Sequence, residues 1–485
     1  MKALWRPAAP APAFVAAPRW WARYKPTPLW WTKAGLVLGF TFIAAFLSMV
    51  QAIAQPMLIA GGLALLLLVV LLPLTLPTVS LFVGAAGMSG LMWLPDHRIA
   101  EVFLAGVLIW AWWSAPARAW SSALGSDKGV WLASWGVVAL GILYTLYGAV
   151  YQGHFRSFVY SDSRCYLFWM MVPTMVMAVT HWLGWRKFFT GLLWFAAMTS
   201  VMALIQAGTG VKLTYGGAMS NLQTMDTTYG DIARVAVPGI LIVMFTFVLV
   251  AGLWAAGRMG ATKAGLLLAL YASCIYLNFG RAVWAATVLM LLIMMAMGGR
   301  QVIRRLLPAL LVAGALGTAG ALVFAPRMVE ALVDRVLSVT QESASSVSLG
   351  WRVTENAYGR EFIANHLAFG DGMGAEYKPP ILGPGAFPDQ THYIHNGYYF
   401  VLIKGGIVFL IAQLSVLAAI IHRAWREYRL GDPTQRVIAG AVTASALSLV
   451  MLNFTQPEFS GSAAAMVMAM AYPLLLNRPN QAGAL

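Results

Sequence analysis

Charge is scarce in this chain and cysteine almost absent. Only 10% of the 485 residues are charged, 60% are apolar, and two are cysteine. Runs such as Leu63 to Leu72 and Val288 to Met297 carry no charge at all. Spans of about 20 apolar residues are what a bilayer core demands, so this shortage of charge excludes a soluble globular fold. Cys165 and Cys274 fall within or at the edge of apolar spans. They read as packed thiols, which sets aside a disulfide framework and redox chemistry.

What charge there is has a pattern. Hydropathy predicts an all-α polytopic membrane protein of about fourteen helices, near 34–50, 57–73, 78–94, 99–114, 130–150, 165–181, 188–207, 235–255, 264–279, 282–298, 306–325, 396–421, 437–453 and 461–476. With the N-terminus inside, Lys2, Arg6, Arg19, Arg23, Lys25 and Lys33 lie in the cytoplasm. Inner loops then carry Arg186-Lys187, Arg258, Lys263, Arg300, Arg304-Arg305, Arg423, Arg426, Arg429 and Arg436, the positive-inside pattern. Of the 17 acidic residues only Asp127, Glu427 and Asp432 fall inside. The net charge of +15 therefore reflects membrane orientation. Its bases are scattered over many loops and not gathered on one face, which argues against nucleic acid as a partner and for anionic membrane lipids.

The expected organisation is a basic cytoplasmic arm (1–33), eleven spans (34–325), a long outer loop containing short helices (326–395), three further spans (396–476) and a cytoplasmic tail (477–485). Ala52-Ile53-Ala54 could pass for a signal-peptidase site, but the long basic segment ahead of it and a hydrophobic stretch long enough to span favour a retained helix.

The outer loop is the only long polar stretch, and chemistry is expected there. The outward segments share arginine: Arg156 and Arg164 around Tyr160-Ser161-Asp162-Ser163, Arg234 at the start of a span, Arg281 between two apolar helices, and Arg352 and Arg360 on a segment of helical spacing over 351–366. Outward guanidiniums run against the positive-inside trend and suggest an anion held at the outer interface. Diphosphate matches the guanidinium fork. The plainer reading is that each arginine snorkels to lipid headgroups or pairs with an acid such as Asp162, Glu355 or Glu361. Arg281 is the sharper case, since no acid lies near it in sequence. Ala368-Phe369-Gly370-Asp371-Gly372-Met373-Gly374 reads as a turn, with a phosphate-binding loop as the weaker alternative. Lys378-Pro379-Pro380 and Gly383-Pro384-Gly385 read as an ordered flap.

His392 and His395, at i and i+3, would share one side if the helix beginning near Asn396 continued back through them. A neutral imidazole can take a proton from a sugar hydroxyl, which arginine cannot. Zinc binding with Asp389 competes, as does simple packing against Tyr393 and Tyr398.

Taken together, Arg281 at a helix junction, Gly350-Trp351-Arg352, Phe369-Gly370-Asp371-Gly372-Met373-Gly374 and His392-Tyr393-Ile394-His395-Asn396-Gly397-Tyr398-Tyr399 entering a span with Gly405-Gly406 resemble the bacterial O-antigen ligase and O-antigen polymerase superfamily. The resemblance covers roughly 235–455. It implies a metal-independent, cofactor-free membrane glycosyltransferase of the GT-C type in the inner membrane. Such an enzyme moves a glycan from an undecaprenyl diphosphate carrier to a saccharide acceptor at the periplasmic face. It also implies His395 as the catalytic histidine and Arg281 and Arg352 as diphosphate ligands. Arg164, Arg234, Arg360, His392 and Asn396 are further candidate substrate contacts. Implied partners are the lipid-linked donor, a saccharide or lipid-linked acceptor, and chain-length regulators or other polysaccharide-assembly proteins. The generous span count favours a polymerase for exopolysaccharide or O-antigen. A ligase acting on a lipid A core is the alternative, and a lipid-linked oligosaccharide flippase the rival of another class. Two departures stand out: Phe279-Gly280 where the family has a small hydroxyl residue, and Lys404 where it has an acid.

Overall fold

A computed structural model describes residues 128–180, 184–211, 218–223, 228–237, 239–324, 326–341, 347–379 and 391–476. The expected arm, tail and first four spans lie outside the described residues, as do Asp389 and the Gly383-Pro384-Gly385 segment.

The described chain is overwhelmingly helical. Its helices are α1 (Lys128–Leu146, extended by a π turn over Tyr147–Tyr151), α2 (Arg156–Ser163), α3 (Met171–Ala178), α4 (Trp185–Thr209), α5 (Ile240–Ala255), α6 (Ala261–Leu277), α7 (Arg281–Gly298), α8 (Arg300–Phe324), α9 (Pro326–Gln341), α10 (Val347–His366), α11 (Gly397–Leu430), α12 (Pro433–Leu452) and α13 (Ser462–Ala471). Among the described residues, six stretches are long and apolar enough to cross a membrane: Lys128–Tyr151, Trp185–Thr209, Arg281–Gly298, Arg300–Gly320, Gly397–Leu430 and Pro433–Leu452. Shorter apolar helices cover Ile240–Ala255, Ala261–Leu277 and Ser462–Leu476. One element has no counterpart in the sequence reading, an antiparallel hairpin of β1 (Ala218–Gln223) and β2 (Thr228–Ala236). By sequence Arg234 and Val235 mark the start of a span, whereas in the structure both belong to β2.

Composition decides where each helix sits. α5 is apolar on every side and buried along nearly its whole length, as an all-round hydrophobic helix must be. α8 instead leaves Leu311, Val312, Leu316, Leu322 and Val323 exposed, a row of large side chains suited to lipid. α12 is rich in Ala, Gly and Ser and packs against α7, with Gly440 set beside Met294 and Met297. Small residues permit that close approach. Because the early part of α12 meets the late part of α7, the two run antiparallel. Arg281 at the start of α7 therefore lies at the same end of the bundle as Asn453 after α12. The Gly397 amide donates to the Asn453 carbonyl at 2.8 Å, bringing the start of α11 to that end too.

α11 is broken. Gly406 has φ 61° and ψ −164°, conditions only glycine meets cheaply. The loop 367–375 fills the break: Asp371 and Gly372 amides donate to the carbonyls of Ile403 and Lys404 (2.9 Å each), and the Ile407 amide donates to Leu367 (2.9 Å). Interrupted backbone inside an apolar bundle must be re-satisfied in this way. Gly370 and Gly372 lie at φ 64° and 90°, and a Cβ at Gly370 would come within 2.5 Å of the Gly405 nitrogen.

Candidate functional site

Asn278-Phe279-Gly280 is a tight turn between α6 and α7, and Phe279 holds φ 49° although it is not glycine. Strain of this kind persists only where packing over-determines it. Phe279 is fully buried, in an aromatic cluster with Tyr276 and Trp284 and against Ala331 of α9. The bulky residue before the arginine, a departure from the family pattern, thus docks α9 onto the turn. The turn sets Arg281 at the first position of α7, where the helix amides favour an anion. Arg234 of β2 joins it, donating through Nε to the Asn278 carbonyl at 3.1 Å. Burial first, and then the neighbouring Arg281 charge, lower the Arg234 pKa from its ordinary value. Two guanidiniums held this close create a local demand for negative charge.

The second group centres on His395. Asn396 caps α11, its side-chain oxygen accepting the amides of Tyr398 and Tyr399 at 3.0 and 3.3 Å. Helix therefore starts at Gly397 and residues 391–396 are irregular, so His392 and His395 do not share one helical side. Each has its own carboxylate. Glu355 of α10 is buried, and its Oε2 meets both His395 Nδ1 at 2.8 Å and the His395 amide at 3.2 Å. An Nδ1–H donated to a carboxylate leaves the Nε2 lone pair as the basic site. The His395 side chain is 36% exposed, enough for a substrate to reach it. Glu355, by sequence a candidate counterion for arginine, meets the histidine in the structure. Arg352 lies one turn before Glu355 on α10 and, with Glu355 and Glu458, acts electrostatically on Tyr393. Burial, reinforced by the two carboxylates, pushes the Tyr393 phenol up to about 12, so it remains a hydrogen-bond donor. Its ring meets His395 edge-on at 5.3 Å.

His392 is elsewhere and buried. It stacks on Phe158 at 4.0 Å, with Nε2 3.8 Å from Asp162 Oδ1. Burial is the main cause lowering its pKa, which keeps the ring neutral. Asp162 also binds Lys404 Nζ (2.8 Å) and the Gly374 amide (2.8 Å), while Lys404 donates to the Ala375 carbonyl at 2.6 Å. Lys404, the other departure from the family pattern, is fully buried and ties α2 and the glycine loop to α11. The amides of residues 371–374 are all taken by protein acceptors, Met373 by the Tyr144 carbonyl at 3.1 Å, so the glycine segment is a packed connection and offers phosphate no cradle.

Of the other candidates, Arg164 is half-buried with its guanidinium over the Tyr160 ring at 5.8 Å, and Arg360 is exposed on α10. Among the described residues no group of three or more His, Cys, Asp and Glu could hold a metal ion. The zinc alternative needs Asp389, outside the described residues.

Residues 266–414 contain Arg281, Arg352, Glu355 and His395, and they match a family model, Wzy_C, described as O-antigen ligase. That segment is similar to the O-antigen ligase family. No curated protein matches the chain. Arg234, Asp162 and Glu458 lie outside the matched segment.

Proposed function

We propose that the chain transfers a glycan from undecaprenyl diphosphate to a saccharide acceptor at the periplasmic face of the bacterial inner membrane. The observation that carries this reading is His395, partly open at one end of the helical bundle, its Nδ1 held by buried Glu355. In this scheme the acceptor hydroxyl gives its proton to His395 Nε2 as its oxygen attacks the anomeric carbon. The carbon–oxygen bond to the diphosphate breaks, and undecaprenyl diphosphate leaves with both bonding electrons. Arg281, Arg234 and Arg352 neutralise the charge that grows on the leaving group. Guanidiniums do here what a divalent cation does in other diphosphate chemistry, so the scheme calls for no metal.

Polymerase and ligase differ only in acceptor. The generous span count of the sequence favours another lipid-linked repeat unit; the family match favours a lipid-anchored core saccharide. The deciding experiment incubates purified protein with undecaprenyl-diphosphate-linked glycan and either further donor or rough-type lipopolysaccharide, with and without EDTA. Transfer to one acceptor, undiminished by EDTA, is expected. Absence of transfer to both would refute the reading, and chelator-sensitive turnover would replace its arginine-based scheme.

A further inference from the structure

One face of α11 stays open beyond the Gly406 break, and its character changes along its length. Ile411 and Ala418 are exposed on its apolar part, with Leu414 half-buried between them. At helical spacing the same face continues through His422, Trp425, Arg426 and Arg429, all exposed, at the end of α11 farthest from His395. Arg423, Ala424 and Glu427 occupy the buried side of these turns.

The cations are held in place by rings. The Arg429 guanidinium lies 5.3 Å from the centre of the Trp425 ring, Trp425 stacks on Tyr428 at 5.2 Å, and Arg436 of α12 lies 5.9 Å over Tyr428. Each ring thus carries a guanidinium, and the stack joins the end of α11 to the start of α12. The acids here are already engaged: Glu427 meets Arg423 at 2.6 Å, and Asp432 accepts the Gln435 amide at 2.8 Å. The sequence from 405 to 450 holds no third acid. Arg426, Arg429 and Arg436 therefore form a patch of one sign, with no ion pair among the described residues.

We propose that this face binds one anionic phospholipid, its headgroup phosphate on Arg426, Arg429 and Arg436 and its acyl chains along Ala418, Leu414 and Ile411. From Ile411 to Arg426 the helix rises about 22 Å, close to the depth of one leaflet with its headgroups. Trp425, 46% exposed, sits where the apolar part meets the cations, the level an amphipathic ring favours. Basic sites between helix ends on the cytoplasmic side suit anionic headgroups, and a free phosphate would leave the apolar part of the face unused.

The test uses purified full-length protein in an uncharged detergent, titrated with dioleoylphosphatidylglycerol or dioleoylphosphatidylethanolamine, with bound lipid counted by mass spectrometry of the intact complex. Phosphatidylglycerol is expected to saturate one site that phosphatidylethanolamine does not fill at the same concentration. Arg429→Gln/Arg436→Gln should weaken that site by about tenfold or more, and Arg429→Lys by less, since it keeps the charge but loses the planar fork. Arg186→Gln/Lys187→Gln removes the same charge from exposed positions on α4 and should change the affinity by less than about twofold. If the Arg429/Arg436 double variant fails to fold, Arg429→Gln alone decides, with about a fivefold loss expected. Equal weakening by the two double variants, or binding that never saturates, would reduce the effect to diffuse attraction and overturn the proposal. Displacement of the lipid by an equal concentration of inorganic phosphate would also overturn it, by assigning the patch to a free anion.

Discussion

Replacing Glu355 should damage the chemical step without touching donor binding. Its side chain is 3% exposed, and one oxygen holds His395 through Nδ1 at 2.8 Å and through the backbone amide at 3.2 Å. A hydrogen bond to a charged group contributes about 1.5–3 kcal/mol, so losing the orienting contact alone predicts a fall in kcat of roughly 10- to 150-fold. Glu355→Ala adds a cavity and an orphaned amide, which places it at or beyond the upper end. Glu355→Gln fills the same volume. Its amide can accept from Nδ1–H in one orientation but presents N–H in the other, so its activity should lie between. The lipid-linked donor should bind both variants with near-normal affinity, because Arg281 and Arg352 are unaltered. Steady-state kinetics on purified protein, with donor affinity measured separately, provide the check. A well-folded Glu355→Ala variant with kcat within about threefold of the parent would refute the orienting role.

The remaining outcomes follow from neighbouring groups. Arg281→Ala should cost on the order of 2–4 kcal/mol, roughly 30- to 1,000-fold in rate, with Lys a poor rescue because it lacks the fork; near-normal polymer output would reject the assignment. Lys404→Met leaves Asp162 buried without its cation and should destabilise by about 3–5 kcal/mol, whereas the Lys404→Met/Asp162→Leu pair should recover much of the loss; thermal unfolding in detergent distinguishes them. Cysteine at exposed Val353, in a Cys165→Ser background, should react with an impermeant maleimide in cells with a permeabilised outer membrane. Labelling only after lysis would reverse the proposed orientation.

What could be read from the sequence was whatever is local. From residue 128 onward the apolar runs coincide with helices, because twenty hydrocarbon residues leave a backbone in lipid few alternatives to satisfying itself. Asn396 ahead of Gly397-Tyr398-Tyr399 marked a helix start, and it is one. The conditional alignment of His392 with His395 failed for the same reason: the cap stops the helix before it reaches either ring. The partners of the charged residues were not legible, since Glu355 meets His395 across 40 positions and Asp162 meets Lys404 across more than 200. Asp162 stands two residues from Arg164, and nothing that local points to Lys404 or His392. The hairpin escaped notice because β2 runs into α5 without a polar break, and Arg234 then read as the edge of a span.

The central claim is that His395 takes the acceptor's proton while arginines hold the diphosphate. It is tested most directly by giving purified His395→Ala protein the undecaprenyl-diphosphate-linked glycan and the working acceptor, and measuring donor binding and transfer on the same sample. The account predicts donor affinity within about twofold of the parent, and transfer reduced by at least about a hundredfold, as expected for loss of a positioned general base. Transfer at the parental rate would contradict it.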